Sequence, residues 1–177
     1  MIHIGDEVDF HAISFHDHEP ELLSPGDELK RAIGILKEIY EIFPKVDVLN
    51  SNHGSLAFRK ARHHGLPVGI LKTQNEILCA PKGWKWHDEI YLDGVYYHHG
   101  KTKTALSRTL GLNAVQGHYH ERFEIVQWAG PKGVHWDMRV GCLVDNKSMA
   151  MAYNRLNLYQ PVIGIGVIID KEPRLWK

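Results

Sequence analysis

The strongest constraint on the fold of this chain is the order of patterns between Met1 and Asn50. Ile2-His3-Ile4 reads as a short buried strand that runs directly into Gly5-Asp6-Glu7-Val8-Asp9, and a polar loop follows from His11 to Glu21. Ser24-Pro25-Gly26-Asp27 then carries the marks of a helix start, with Ser24 as N-cap, Pro25 at the first position and Asp27 completing the cap. Leu29, Ile33, Leu36, Ile39, Tyr40 and Phe43 recur at helical spacing, Pro44 stops the helix, and Val46 to Leu49 is a second apolar strand. A helix crossing between two short buried strands makes those strands parallel neighbours in one sheet. Gly5-Asp6 and Asn50-Ser51-Asn52-His53 therefore lie just beyond the carboxyl ends of parallel strands, the edge at which open α/β sheets bind ligands.

Further along, Ser55 to His64 reads as a helix closed by Gly65-Leu66-Pro67. From Trp84 the period changes to two, with Trp84, Trp86, Ile90 and Leu92 on one face, and Asp93-Gly94 predicts a hairpin returning through Val95-Tyr96-Tyr97-His98-His99. Thr102 to Leu110 fits a short helix ended by Gly111, and Asn113 to Gln116 a strand leading into Gly117-His118-Tyr119-His120. Phe123 to Trp128, Val134 to Val144 and Val162 to Ile169 read as further strands. With no repeat, low-complexity tract or linker, residues 1–177 read as a single domain, α/β in its first half and richer in β in its second. Trp84, Trp86, Trp136 and Tyr97 are assigned to core or hairpin packing rather than to base stacking.

Charge narrows the function classes. Lys plus Arg and Asp plus Glu both number 21, so nothing in the overall balance argues for nucleic acid or an anionic membrane as main partner. No apolar run approaches the roughly 18 residues of a membrane span, and no signal peptide opens the chain. Two cysteines make no disulfide framework, which favours a reducing, cytoplasmic setting. Histidine is the outlier at 13 of 177 residues, and imidazole is the commonest protein ligand for transition metals.

Four local clusters carry chemistry. Asp6 and Asp9 follow a strand end, where a carboxylate can reach a divalent cation; solvated acids in a turn are the plainer reading. Asn52 offers a carbonyl ligand and His53 a general acid or base, although Asn-x-Asn-His-Gly also suits an ordinary hydrogen-bonded turn. His98 and His99 are adjacent on a strand, so only one can face a given site and the other supports it or lies at the surface. His118 and His120, one residue apart at a strand end, fall on the same side and suit one metal centre.

In this order, Gly-Asp-x-x-Asp, Asn-His, His-Gly and Gly-His-x-His, the chain resembles the calcineurin-like metallophosphoesterase superfamily from Ile2 to about Ile169, and looks most like the small versions carried by tailed phages. The resemblance implies an αββα sandwich of mixed β-sheets and hydrolysis of a phosphomonoester or phosphodiester, in the host cytoplasm if phage-encoded. It also implies a dinuclear centre, with Asp6 as bridging carboxylate. Asn52, His99 and His118 complete one metal site, and His120 serves the other. His53 becomes the general acid that protonates the leaving oxygen, and Asp9 the carboxylate that orients it. The metals, Mn²⁺ first with Fe, Zn or Ni as alternatives, hold the attacking water and neutralise phosphoryl charge.

The chain departs from that pattern in ways that matter. Asp-x-His on a strand before Gly-Asp is absent, which removes two ligands of the first metal and reads as a shortened form or a site holding one metal tightly. His3, His11 and His16 are the candidates to fill the gap. Phe10 stands where the family has a phosphate-clamping Arg, with Lys101 or Arg122 as replacement substrate-binding groups, and Gly54 stands where many members carry an acid. Two alternatives follow: a metal-binding remnant without turnover, or a nucleic-acid-directed nuclease or binding module built on Arg59-Lys60-Ala61-Arg62-His63-His64 and Lys101-Thr102-Lys103. An absent first strand also leaves an exposed sheet edge through which two copies would pair.

Overall fold

The computed structural model describes residues 1–15, 20–144 and 159–177. It is a mixed α/β structure, and within the chain read as one domain it distinguishes two compact units, Met1–His87 and Asp88–Lys177.

The first unit is built from β1 (Ile2–His3), α1 (Pro25–Ile42), β2 (Val46–Leu49), α2 (Leu56–His63), α3 (Gln74–Leu78) and β3 (Trp84–His87), with 3-10 turns at His11–Ile13 and Val68–Ile70. The strands form a parallel sheet in the order β1-β2-β3, with Ile2 opposite Asp47 and Val46 opposite Trp84. The start of α1 follows from its sequence: Ser24 Oγ accepts from the Asp27 backbone N–H at 3.2 Å and donates to its carboxylate at 2.8 Å. Its apolar face presents Leu36, fully buried, to a core of Val8, Phe10, Val46, Val48, Leu56, Leu78 and Trp84. Trp84 anchors this core, its indole N–H donating to Phe43 O at 2.9 Å and its ring meeting Tyr40 edge-on at 4.7 Å.

Two expectations change here. The period-two run starting at Trp84 is not one hairpin strand: Trp84–His87 pairs in parallel with β2, and a separate strand begins at Ile90. The alternation keeps its phase across Asp88-Glu89, so periodicity alone does not reveal the break. The stretch read as loop from His11 contains the His11–Ile13 3-10 turn, with His11 buried. In addition α3 went unread, although Thr73 and Glu76 form a complete capping box in front of it.

The second unit contains β4 (Ile90–Leu92), β5 (Val95–His98), α4 (Leu106–Leu110), β6 (Asn113–Gln116), β7 (Phe123–Gly130), β8 (Gly133–Val140), β9 (Ile165–Ile169) and β10 (Glu172–Trp176). Its larger sheet runs β4-β5-β6-β8-β7, with β5, β6 and β8 parallel and the two outer pairs antiparallel. The helix α4 crosses between β5 and β6, a second instance of the arrangement that opens the chain. The unanticipated β10 pairs with β9 through Asp170-Lys171, both at positive φ (52° and 67°). That is the geometry of the Asp93-Gly94 hairpin without its glycine, so the usual turn signal is missing.

A buried polar network ties this unit together. Asp137, 1% exposed, accepts from the Ser107 backbone N–H at 3.1 Å and from Gln116 Nε2 at 3.2 Å. The guanidinium of Arg139, also buried, donates to Glu124 at 2.6 Å and to Lys103 O at 2.8 Å. Buried charges persist when paired and hydrogen-bonded in this way. Among the described residues, no helix is long and apolar enough to cross a membrane.

Candidate functional site

In the first unit the chain leaves β1 through two consecutive left-handed residues, Gly5 (φ 96°) and Asp6 (φ 58°). Asp tolerates this region better than most side chains, and the sharp turn returns the backbone through Glu7 and Asp9 to Phe10. The turn is fastened to α1 by Glu28, whose carboxylate accepts from the Phe10 backbone N–H. Beyond β2, Ser51 Oγ accepts from the Gly54 N–H at 2.9 Å, and Gln74 Nε2 donates to Gly54 O at 2.9 Å, holding Asn52-His53-Gly54 in place.

These two turns bring His53 and Asp9 together. His53 Nδ1 lies 2.7 Å from the Asp9 carbonyl oxygen and 3.0 Å from its carboxylate. Both are acceptors, so Nδ1 carries the proton and Nε2 is the second titrating position. Burial alone would lower the imidazole pKa, but the hydrogen bond to Asp9 and the charge of Asp6 outweigh it and raise it to about 9. At neutral pH His53 is an imidazolium held in one orientation, the state a general acid needs before the reaction.

Glu7 is the site residue that sequence reasoning missed. Both of its carboxylate oxygens are closed off from solvent, and burial, with Asp6 adding to it, raises its pKa to about 7. Its Oε1 would lie 2.3 Å from a Cβ at position 54, so the missing side chain of Gly54 is what makes room for it. An acid beside Asp6 in a polar turn reads as solvated, and no local signal distinguishes Glu7 from that.

In the second unit the sites lie past β5 and β6. His99 and His118 approach with ring centroids 5.2 Å apart at 65°, and a ring nitrogen of each falls within 4.8 Å of the other. His99 is 5% exposed, and its carbonyl accepts from the Gly117 N–H at 2.8 Å, which locks the two turns to each other. Gly100 allows the approach: a Cβ there would lie 2.4 Å from the His118 Cβ.

His98 faces away from this pair and stacks on Tyr96, with ring planes 3° apart. Burial, with Lys101 adding to it, lowers its pKa to about 4, so it is neutral. The two adjacent histidines therefore divide as strand geometry requires. The argument from alternation does not extend to His118 and His120. The strand β6 ends at Gln116, His118 is left-handed (φ 66°), and short backbone bonds from Tyr119 to Gly117 and from His120 to His118 coil the segment. A coiled turn, not a pleat, sets the direction of His118.

The cations proposed as substrate clamps are engaged within the unit. Lys101 Nζ sits 2.8 Å from both Glu89 Oε2 and Tyr96 OH. Arg122 donates to Lys103 O at 3.0 Å and faces Glu121 and Glu124 at 3.8 and 3.6 Å. Of the histidines weighed as replacement ligands, His3 accepts from the Gly5 N–H at 3.2 Å and tilts against Trp84, His11 is buried in its 3-10 turn, and His16 lies outside the described residues.

The donor set fits a borderline divalent cation. Two imidazoles at this separation, one buried and fixed by its backbone, suit Fe, Ni or Zn better than Mg or Ca. Comparison with protein-family models, with curated proteins and with solved structures returns no significant match.

Proposed function

We propose that this chain is a metal-dependent phosphoesterase. The observation that carries the reading is the His99–His118 pair, built past the ends of adjacent parallel strands and made sterically feasible by Gly100. The His53–Asp9 pair past the ends of β1 and β2 supplies the complementary acid. In this reading His99 and His118 hold a cation in the second unit, with Mn²⁺ the first candidate.

When bound, such a cation acts as a Lewis acid toward water and toward the phosphoryl oxygens. The protein's own contribution is the imidazolium of His53, held by Asp9 through Nδ1, so that Nε2–H is the proton given to the departing alkoxide or aryloxide oxygen. Asp9 keeps that proton on the ring until the leaving group develops charge.

The test is hydrolysis of an aryl phosphate monoester and of an aryl phosphodiester with added Mn²⁺, using His53→Ala as control. Turnover lost in the control is the expected result, and the ratio of the two substrates narrows the class. Mn²⁺ binding with no turnover of either ester would overturn the enzymatic reading and leave a metal-binding protein.

A further inference from the structure

The chain is neutral overall, but its charge is unevenly placed. From Val48 to Asn75 it contains no Asp or Glu, while it carries Arg59, Lys60, Arg62 and Lys72 together with His53, His63 and His64. Most of these lie on α2, which starts at Leu56, three residues after His53, and Arg59, Arg62, His63 and His64 are all exposed.

What holds the cations of α2 differs from what holds those of the second unit. Lys101, Arg122 and Arg139 each meet a carboxylate. Lys60 Nζ instead sits 4.1 Å from the centroid of the Phe15 ring, with the Arg59 guanidinium 5.5 Å from the same ring. The His63 ring packs edge-on against Phe15 at 5.6 Å. A cation placed over an aromatic face is ordered by the ring quadrupole and keeps its full charge for an incoming anion. Phe15 itself is 48% exposed, an aromatic with no place in the core. Arg59 also donates to the Asn52 carbonyl at 3.2 Å, so the patch is continuous with the turn that carries His53.

We propose that the exposed face of α2 together with Phe15 is a binding surface for single-stranded nucleic acid, which leads a phosphodiester toward His53. Arg59 and Lys60, which converge on the Phe15 ring, contact successive phosphates, and Phe15 offers a platform for an unstacked base. An aromatic beside cations that meet no carboxylate among the described residues is the combination that single strands use, since every base has a π-face and the backbone supplies the charge. A duplex keeps its bases stacked and gains nothing from Phe15. An anionic membrane would use the cations alone, and the continuity with a phosphoester-handling turn favours a polymer of phosphodiesters. The proposal takes its chemistry from the phosphoesterase reading, but its binding step does not depend on turnover.

Binding is measured with a fluorescently labelled oligothymidine by anisotropy, in chelator, across a salt series. The wild-type chain is expected to bind with log K falling against log salt at a slope of about −2, as for three phosphates on a single strand. The Arg59→Ala/Lys60→Ala double variant should flatten the slope to about −0.7. Phe15→Ala should weaken binding roughly tenfold with the slope unchanged. No binding, binding insensitive to these variants, equal affinity for a duplex of the same length, or preference for phosphatidylserine vesicles over the oligonucleotide would each overturn the proposal. Aryl phosphodiester turnover, followed separately, reports on the phosphoesterase reading: turnover without oligonucleotide binding removes this surface alone, and binding without turnover removes the enzyme alone.

Discussion

The two units use one device for different chemical ends. In each, a helix crosses between parallel strands, and the functional side chains stand in the turns past the strands' carboxyl ends. In each, a glycine after a histidine clears space for a side chain from the neighbouring turn: Gly54 for the Glu7 carboxyl, Gly100 for His118. The first unit uses the space to bury an acid beside an Asp–His pair, and its groups titrate near neutrality, Glu7 at about 7 and His53 at about 9. The second uses it to draw two imidazoles together, and its charged groups near those turns are compensated by Glu89 and Glu124. In the proposed reading, proton chemistry belongs to the first unit and ligand chemistry to the second.

Substitution of the histidines should separate the two roles most sharply. His53→Ala is expected to lower phosphoester turnover by about 10²-fold or more, the scale of a lost general acid, while bound Mn²⁺ per chain is unchanged. His118→Ala should do the reverse in order of cause, weakening Mn²⁺ affinity by at least about tenfold in a titration. If both variants lose metal to the same degree, the division between the units fails.

The titrating groups of the first unit make its stability depend on pH, and the two signs are opposite. Glu7 has a folded pKa above its ordinary value of 4.5, so the folded chain binds the extra proton and stability falls as pH rises from about 4.5 to 7. Glu7→Gln should therefore stabilise the chelated protein by about 3 kcal/mol at pH 8 and by little at pH 4.5, as read from urea midpoints. The His53 imidazolium contributes stability that is complete below its ordinary 6.5 and lost as pH rises through about 9. Asp9→Asn should remove most of that decline, an effect of the same order.

The glycines give the finest contrast. Gly100→Ala drives a methyl into the His118 Cβ, an atom that moves only with its backbone, and should cost about 1–3 kcal/mol in denaturant unfolding. Gly54→Ala meets only the tip of Glu7, which can swing away, and should cost less than about 1 kcal/mol. Equal costs would mean that the Glu7 carboxyl is as rigidly placed as His118.

Much of the framework is legible in the residues themselves. The cap at Ser24, the stop at Pro44 and the apolar runs around them specify β1, α1 and β2, because capping, ring closure at proline and side-chain periodicity all act within a few residues. The positions of Asp6, His53, His99 and His118 in turns past strand ends follow from the same local rules plus the handedness of crossovers. Where a turn lacked its usual residues, as at Asp170-Lys171, local rules were silent and β10 went unseen. Where two strands kept one phase, as across Asp88-Glu89, they misled.

The encounters between side chains distant in sequence were decided by the tertiary structure alone. Glu7 reads as a solvated acid until the fold sets it against Gly54 and closes both carboxylate oxygens off from solvent, and that burial is the largest cause of its raised pKa. His118 reads as one of an alternating pair until a left-handed turn sends it against His99 through the gap at Gly100. Asp137 is buried only because Ser107 and Gln116, both distant in sequence, supply its hydrogen bonds. In every instance the sequence by itself determined the residue's type. Desolvation and steric contact depend on what arrives from elsewhere in the chain, and they determined what that residue can do.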